Sequence, residues 1–406
     1  MKPLKTASLT LLFTANAALS HSAWAIELRG SAGAELRYFT EYQKTQASAF
    51  GELELYWQSE NSNNSITAKA FARGDDTDDE RSHADIRELV WLYYADTWEV
   101  RAGISKVFWG VTESAHRVDI VNQTDAVESP DGEEKLGQPM LQFTRIHDWG
   151  TLNAFILPYF RERTLDGPDS YLGMPAPVAL DDAQYQSSAE QAHIDWALRY
   201  KHSIDIWDVG LSYFAGTDRE PLLIPALGAE GEPVLVPYYT QIHQAGIDVQ
   251  ATVGSWLWKL EAIHQSTRDN GLDATLRAVT EDFSALTTGF EYTLIGVAGS
   301  QADLGLLGEY HHNSAANNAL DPLQNDLFIG ARLTLNDIQN TSLLVGLIQD
   351  LDYSSSQLGF IEASRRFGDN WVLTLDGRLY ASDANQDPIQ AVRKGDHMTL
   401  NAAYYF

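Results

Sequence analysis

Apolar and polar residues alternate along many short stretches of this chain. In residues 194–201, Trp196, Leu198 and Tyr200 take every second position, and Asp195 and Arg199 lie between them. The same period of two recurs at residues 244–253, 256–263, 327–335 and 371–380. Because successive side chains of a β-strand point to opposite faces, each stretch predicts a strand with one apolar face and one face that carries the charges.

The succession of these strands predicts one all-β antiparallel up-and-down barrel. About eighteen strand segments follow one another along the chain. Short turns are expected at residues 61–64, 95–97, 148–150, 203–205, 254–255, 336–340 and 368–370. Longer loops are expected between them, at residues 74–83, 108–137, 163–191, 217–238, 267–281, 312–325 and 381–396. An even strand number closes the barrel, and sixteen strands remain possible because residues 86–94 and 342–349 are apolar on both faces.

The apolar faces exclude charge over their whole length, as a surface in contact with lipid must. The mean hydropathy is only −0.26, and no stretch after residue 25 approaches the roughly 20 apolar residues of a membrane helix. A transmembrane barrel escapes that test because every second residue faces the lumen and can be polar. Aromatic residues make up 11% of the chain, which fits aromatic girdles at the two membrane interfaces.

The last ten residues, 397–406, form one alternating strand that ends on the aromatic Phe406. Met398, Leu400 and Tyr404 share its apolar face, and His397 belongs to the more polar one. This pattern resembles the C-terminal signature of Gram-negative outer-membrane β-barrels. The resemblance implies that the barrel-assembly machinery recognises this strand and that the mature protein contacts outer-membrane lipid and lipopolysaccharide.

The first 25 residues have the organisation of a secretory signal peptide. Lys2 and Lys5 precede a mainly apolar segment at residues 7–19, and Ala23-Trp24-Ala25 forms a small-x-small cleavage site. We therefore expect residues 1–25 to be removed and residues 26–406 to form the barrel. No cysteine is present, so the chain forms no disulfide and carries no lipoprotein anchor. Export together with the C-terminal signature predicts the outer membrane of a Gram-negative bacterium.

Barrel size indicates passage of a solute. Sixteen to eighteen strands enclose an aqueous channel unless something plugs it, whereas about eight leave a lumen packed with side chains. The first strand is expected to begin directly after the signal peptide, so we predict no plug domain. Selectivity must then come from loops and lumen side chains.

The loop at residues 108–137 is the strongest candidate for a constriction. It is the third loop on its side of the barrel, and general porins fold their third loop into the lumen. Arg87-Glu88-Leu89, a Trp109-Gly110 corner, and Asp119 with Asn122 resemble an arrangement that lines the channel in several porin-like families. The predicted constriction residues are Trp109, Glu113, His116, Arg117, Asp119, Asn122 and Asp125. The alternative is a solvent-exposed loop that contacts lipopolysaccharide, although an apolar patch at residues 118–121 favours inward folding.

Charge narrows the choice of partner. The formal net charge is −28, and loss of Lys2 and Lys5 with the signal peptide makes it −30. Nucleic acid is excluded as a partner because binding a polyanion needs clustered Lys and Arg. The predicted lumen face carries both signs: Arg87, Asp195, Arg199, Lys201, Asp248, Lys259, Glu261, Glu291, Glu309, Arg332, Asp376 and Arg378. Opposed charges create a transverse field that passes polar solutes, and the acid surplus favours cations.

Other site chemistry is sparse. Asp75, Asp76, Asp78 and Asp79 form an acidic run that could hold Ca²⁺, but the spacing is not that of an EF-hand loop. A solvated loop tip is the alternative. No phosphate-binding, zinc-binding or barrel-hydrolase motif is present, so we expect neither a cofactor nor an enzyme.

Three functions compete. The leading one is a porin-like channel for passive diffusion of small hydrophilic solutes. The second is an export conduit for a polymer or other cargo, working with periplasmic partners. Export of a polyanion would need a basic lumen, and the mixed, acid-rich lumen predicted here argues against such a cargo. The third is a barrel hydrolase, for which a histidine near a hydroxyl, as at His311 and His312, is too common a feature to argue.

Overall fold

Eighteen antiparallel strands form one closed sheet in the computed structural model, which describes residues 26–129, 131–174, 176–228, 231–267, 282–315, 321–385 and 387–406. Each barrel strand pairs with its neighbours in the chain. Closure comes from the first and last strands, where Leu36 lies opposite Leu400. The barrel and its eighteen strands are therefore confirmed, and the sixteen-strand alternative is wrong. The signal peptide expected at residues 1–25 lies outside the described residues.

The barrel strands are β1 Ile26–Phe39, β2 Lys44–Gln58, β3 Asn64–Asp75, β4 Ala84–Tyr94, β5 Trp98–Ser105, β6 Gln138–His147, β7 Gly150–Leu157, β9 Asp195–Ile204, β10 Trp207–Thr217, β13 Gln241–Val253, β14 Trp256–Thr267, β15 Phe283–Leu294, β16 Asp303–Asn313, β17 Asn325–Thr334, β18 Ser342–Asp350, β19 Gln357–Phe367, β20 Trp371–Ala381 and β21 His397–Tyr405. A small separate sheet joins β8 Gln184–Tyr185, β11 Leu222–Leu227 and β12 Pro233–Tyr239.

The predicted faces agree with the register. In β9, Trp196 and Leu198 are exposed on the outer surface, whereas Asp195 and Arg199 are buried inside. Neighbouring strands continue the outer apolar face, because Leu198 lies opposite Tyr213 of β10, which in turn lies opposite Ala245 of β13. An outer wall of exposed Leu, Ile, Trp and Tyr side chains is what a surrounding lipid phase requires.

The connections sort to the two ends of the barrel. Both chain ends of the described part and the turns at residues 59–63, 95–97, 148–149, 205–206, 254–255, 295–302, 335–341 and 368–370 lie at one end, which we call the short-turn end. The other, the loop end, carries the longer connections and also the brief one at residues 40–43. The turn at 295–302 is the longest of its set because it contains a 3₁₀ helix, Val297–Gly299.

The third connection at the loop end spans residues 106–137, two residues more than expected, because β5 stops at Ser105 after only eight residues. A short strand ends partway up the barrel wall, so the chain leaves the wall inside the lumen rather than at its rim. We call residues 106–137 the inner loop. No separately folded domain lies in the lumen within the described part of the chain, where no helix is long and apolar enough to cross a membrane.

Candidate functional site

Asn122 closes the neck of the inner loop. Its side-chain Oδ1 accepts a hydrogen bond from the backbone nitrogen of Val107 at 2.9 Å. Its Nδ2 donates to the carbonyl oxygens of Ser105 at 2.9 Å and Leu136 at 2.8 Å. One buried amide therefore ties together the departing and returning chains, and satisfies all three backbone groups at a buried position.

The inner loop packs an apolar underside onto the barrel wall. Val118 and Val121 are fully buried, and Trp109 is 3% exposed. They belong to one hydrophobic cluster with inward-facing wall residues, namely Met140, Phe155, Leu157, Ala197, Phe214, Ile242, Ile263 and Ala285. Each large side chain buried in this way contributes about 1.5–3 kcal/mol. This part of the loop consequently lies against the wall and does not face the solvent outside the barrel.

Glu261 of β14 holds the tip of the loop. Its Oε1 accepts hydrogen bonds from the backbone nitrogens of Val111 at 2.6 Å and Thr112 at 3.0 Å, and from Thr112 Oγ1 at 2.7 Å. Its Oε2 accepts one from the nitrogen of Val118 at 3.2 Å. Gly110 has a positive φ of 151°, and a Cβ there would lie 3.0 Å from Glu261 Oε1. Glycine in the Trp109-Gly110 corner therefore allows the backbone to approach the carboxylate closely.

Glu309 of β16 provides a second anchor on the next part of the wall. Its carboxylate accepts from the backbone nitrogens of Glu113 at 2.7 Å and Ser114 at 3.0 Å, and from Ser114 Oγ at 2.6 Å. Two acids that the sequence places on the lumen face thus bind loop backbone instead of facing open water. Carboxylates that accept several N–H groups make strong, directional anchors.

Ion pairs then fasten the loop to other sides of the lumen. Glu128 pairs with Arg73 of β3 through two bonds of 2.8 Å, and Asp131 contacts Arg378 of β20 at 2.6 Å. Across the barrel from β3, Glu113 pairs with Arg332 of β17 and lies 3.7 Å from Lys259 of β14. Arg117 pairs with Asp321 and donates to the carbonyl oxygen of Leu323 at 2.9 Å. The loop therefore spans the lumen.

Several predicted constriction residues hold the loop together rather than facing open space. Asp119 accepts from the backbone nitrogen of Trp109 at 3.3 Å, and burial raises the pKa of Asp119. Asp125 accepts from Thr164 Oγ1 at 2.8 Å, and burial raises the pKa of Asp125 as well. His116 lies 3.1 Å from Glu133; burial opposes protonation, but the bond to Glu133 raises the pKa of His116 overall.

The predicted lumen residues all lie on the inner face, and most of their charges are paired. Arg199 contacts Asp248 at 2.8 Å, and Asp195 contacts Arg219 at 2.9 Å. The remaining contacts are Arg332 with Glu291 at 3.3 Å, Arg378 with Asp376 at 2.9 Å, and Arg87 with Glu134 at 3.4 Å. Lys201 is exposed to the lumen. Pairing in this way reduces the transverse field expected from isolated opposed charges.

The sequence analysis did not identify several other buried charged residues. Arg81 is 1% exposed and binds Glu35 at 2.8 Å, Asp75 at 3.2 Å and the carbonyl oxygen of Val127 at 2.9 Å. Arg219 donates to the carbonyl oxygen of Val121 at 3.0 Å. Glu35 lies between exposed residues of β1, so the period-two alternation of that strand could have placed it on the inner face. Arg81 and Arg219 lie in connections, where no alternation marks the inward side.

The acidic run at residues 75–79 fastens loops to one another. Asp75 accepts from Gln46 at 2.9 Å and from the nitrogens of Thr77 at 2.9 Å and Asp78 at 3.0 Å. Asp78 in turn accepts from the nitrogen of Gly167 at 3.1 Å. In the described ranges, no three acidic or histidine side chains are grouped to hold a metal ion. These contacts do not support the Ca²⁺ site considered for Asp75, Asp76, Asp78 and Asp79.

Two open spaces lie beside the inner loop among the described residues. The larger, about 570 Å³, is bordered by β1–β4, β20 and β21 and by both signs of charge; we call it the wide cavity. The smaller, about 320 Å³, is bordered by β5, β6, β7, β9 and the start of the loop; we call it the basic pocket. Both spaces are lined largely by polar side chains and have room for water and small polar solutes.

Neither a known family nor a curated protein matches the sequence. The structure, however, is similar to outer-membrane porins of Pseudomonas aeruginosa. OccD3 (OpdP) gives a TM-score of 0.55 at 11% identity, over 94% of this chain and 91% of that one. OccK5 (OpdH) gives a TM-score of 0.55 at 10% identity, over 94% of this chain and 98% of that one. OpdQ gives a TM-score of 0.52 at 11% identity, over 95% of this chain and 97% of that one. At such identities the similarity establishes a shared fold, a closed antiparallel β-barrel.

Proposed function

We propose that this protein is an outer-membrane channel through which small hydrophilic solutes diffuse passively, with the inner loop as its constriction. The observation that carries the proposal is a loop held across an eighteen-stranded barrel by anchors on facing walls, with polar cavities beside it. Barrels of this strand number enclose an aqueous lumen. A loop fastened inside that lumen limits the size of what passes.

The same proposal assigns orientation and surroundings. The loop end faces the cell exterior and lipopolysaccharide, and the short-turn end faces the periplasm of a Gram-negative bacterium. The C-terminal strand β21 carries the outward-facing Met398, Leu400 and Tyr404, which fits recognition by the barrel-assembly machinery. Proteolysis of whole cells tests the orientation, because only loop-end segments should be cut from outside.

Simple ions should pass with a weak preference for cations. The support is the formal net charge of −28, together with Glu88 at the border of the wide cavity, where Glu52 is already paired with Lys69 and Arg87. Fixed negative charge in a lumen raises the local cation concentration. The reversal potential across a salt gradient measures this preference, and a zero or anion-selective potential would refute it.

Single-channel conductance of the refolded protein in a planar bilayer tests the channel itself. We expect stable steps in the full chain and larger steps after deletion of residues 108–137. Folding of both proteins is checked by the heat-dependent shift of barrel mobility in detergent gels. A folded barrel that stays silent with and without the loop would refute passive diffusion and redirect attention to a gated export conduit.

A hydrolase is not proposed. The structure does bring one serine and histidine together, with Ser114 Oγ at 2.9 Å from His311 Nε2. However, Ser114 Oγ also lies 2.6 Å from Glu309, and His311 Nδ1 faces the hydroxyl of Thr287 at 3.0 Å rather than a carboxylate. A catalytic histidine needs a carboxylate or similar group on that nitrogen to orient it and stabilise its charge.

A further inference from the structure

The basic pocket differs in charge from the rest of this acidic protein. Arg101, Lys106, Arg199 and Lys201 all line it, and no carboxylate does. The chain carries 56 acidic residues against 28 Lys and Arg, so a cavity bordered by four cations and no acid is unusual here. Its volume of about 320 Å³ lies within the range of small-molecule sites.

Strand register brings these residues into one row across four adjacent strands. Arg101 of β5 lies opposite Gln142 of β6. Gln142 Nε2 is 3.1 Å from Asn153 Oδ1 of β7, and Asn153 lies opposite Arg199 of β9. Lys201 follows two positions nearer the short-turn end. Both ends of the polar row are therefore cationic, and its middle is made of amides.

The cations of the pocket are only partly neutralised. Arg199 pairs with Asp248 at 2.8 Å, and Lys106 pairs with Glu134, but both carboxylates lie outside the lining. In the part of the chain that the structure describes, Arg101 and Lys201 have no acidic group within 4.0 Å. Arg199 is 2% exposed, and its Nε and Nη1 have no hydrogen-bond partner. The pocket therefore has a net positive charge and spare N–H donors.

The pocket also has apolar lining residues. They are Val107, Phe108, Trp109 and Phe155. The guanidinium of Arg199 lies over the Trp109 ring, 4.9 Å from its centroid. Phe108 is 54% exposed, so its ring is available for contact with a solute. A site that combines cations with aromatic rings suits a small organic anion.

We propose that the basic pocket binds a small organic anion, with its carboxylate or phosphate on Arg101 and Lys201 and its carbon part against Phe108 and Trp109. This inference rests on the proposed channel and narrows its solute class. The pocket lies between the inner loop and the short-turn end, because Arg101, Asn153 and Lys201 are each three positions from that end of their strands. A solute that has passed the loop is held there before release.

Equilibrium binding to the folded, detergent-solubilised full barrel tests this site. The probes are 3-phenylpropanoate, phenyl phosphate and the neutral 3-phenylpropanamide, measured by isothermal titration calorimetry. We expect at least one anion to bind and the amide not to bind; which anion binds more tightly distinguishes a carboxylate solute from a phosphate solute. Equal binding of the amide, or no binding of either anion, would overturn the proposal.

Matched variants assign the site. Arg101→Gln combined with Lys201→Gln should weaken anion binding at least tenfold. The control is Lys69→Gln, since Lys69 also faces the lumen but borders the wide cavity, next to Glu54 at 3.1 Å. We expect the Lys69→Gln variant to bind the anion with an affinity within twofold of that of the unaltered protein. An equal loss in the control would show only a general effect of lumen charge and would overturn the assigned site.

This test separates the two proposals. Binding is measured without conduction, so a silent barrel that still binds the anion would refute passive diffusion and leave the site standing. Conversely, a conducting barrel that fails to bind either anion would keep the channel and remove the site. The gel-mobility shift confirms that each variant is folded before its binding is compared.

Discussion

Glu261 and Val111 are 150 positions apart in the chain, yet the carboxylate Oε1 of Glu261 accepts a hydrogen bond of 2.6 Å from the backbone nitrogen of Val111. The same carboxylate also binds Thr112 and Val118. It is fully buried, so no water competes for these bonds. One acid on the barrel wall thus holds the tip of the inner loop in place.

Glu261→Ala should free the loop tip. The change leaves the N–H groups of Val111, Thr112 and Val118 without their acceptor, and we expect a loss of about 3 kcal/mol in the free energy of unfolding. Conductance steps in a planar bilayer should become larger and noisier. The control is Glu54→Ala, a lumen-facing acid that pairs with Lys69 and not with the loop. Unchanged conductance in Glu261→Ala would contradict an anchoring role.

Arg378→Gln should increase cation selectivity. Arg378 contacts Asp131 at 2.6 Å, Glu362 at 2.8 Å and Asp376 at 2.9 Å, so its removal leaves three uncompensated carboxylates beside the lumen. The reversal potential in a KCl gradient should shift toward that of K⁺.

Arg365→Gln is the matched control for that shift. Arg365 lies in β19 between residues that face the lumen, so its own side chain points to the outer face, where 42% of it is exposed. The variant changes the net charge equally without altering the lumen. If both variants shift the reversal potential to the same extent, Arg378 has no special place in the ion path.

Asp218→Asn should stabilise the protein at high pH. Asp218 follows β10 in a connection; burial, together with nearby Glu220, raises its pKa to about 7. The folded state therefore binds this proton more tightly than the unfolded chain, and stability falls as pH rises from about 4 to about 7. An asparagine cannot ionise. Because the side chain is partly accessible, we expect a gain of about 2 kcal/mol at pH 8 and almost none at pH 4.

The midpoint of the heat-dependent gel shift, followed from pH 4 to pH 8, measures this effect. Asp148→Asn, in an exposed turn at the short-turn end, is the control and should leave the midpoint unchanged at every pH. A stabilisation by Asp218→Asn that is equal at pH 4 and pH 8 would exclude ionisation as its cause.

Thiol labelling tests the assigned faces. Arg332 has 34% of its side chain exposed inside the lumen, so Arg332→Cys should react with a membrane-impermeant thiol reagent. Ile329 is 55% exposed but faces outward into lipid, and Ile329→Cys should not react. Arg199→Cys should react slowly, because Trp109 lies over that position. Equal labelling of all three would refute the register.

The alternation of residues was enough to predict the barrel. Trp196 and Arg199 differ in environment because a strand sends odd and even positions to opposite faces, and a lipid-facing surface excludes charge. That rule acts within each strand, so it needs no knowledge of neighbours. It also placed Glu261, Glu309 and Arg332 on the inner face. The ambiguity between sixteen and eighteen strands arose where both faces are apolar, since β4 and β18 carry little alternation.

The inner loop was only partly predictable. Its apolar patch, Val118 with Val121, indicated that it would fold against a wall, because such residues lose free energy by leaving water. Its partners were not predictable, since Glu113 and Arg332 are brought together by closure of the whole barrel. Asp119 and Asn122 were expected to line the channel, and the structure instead places their side chains in contacts within the loop and its neck, whereas Trp109 does border the basic pocket.

The sequence by itself determined the barrel strands, their faces and the even closure of the barrel, because these follow from local period-two patterns, but it did not predict the small sheet of β8, β11 and β12. Only the tertiary structure decided which charges meet. Arg101, Gln142, Asn153 and Arg199 form one row solely because four strands align in a particular register. Register depends on pairing between strands and on packing of the loop, and no single stretch of sequence contains that information.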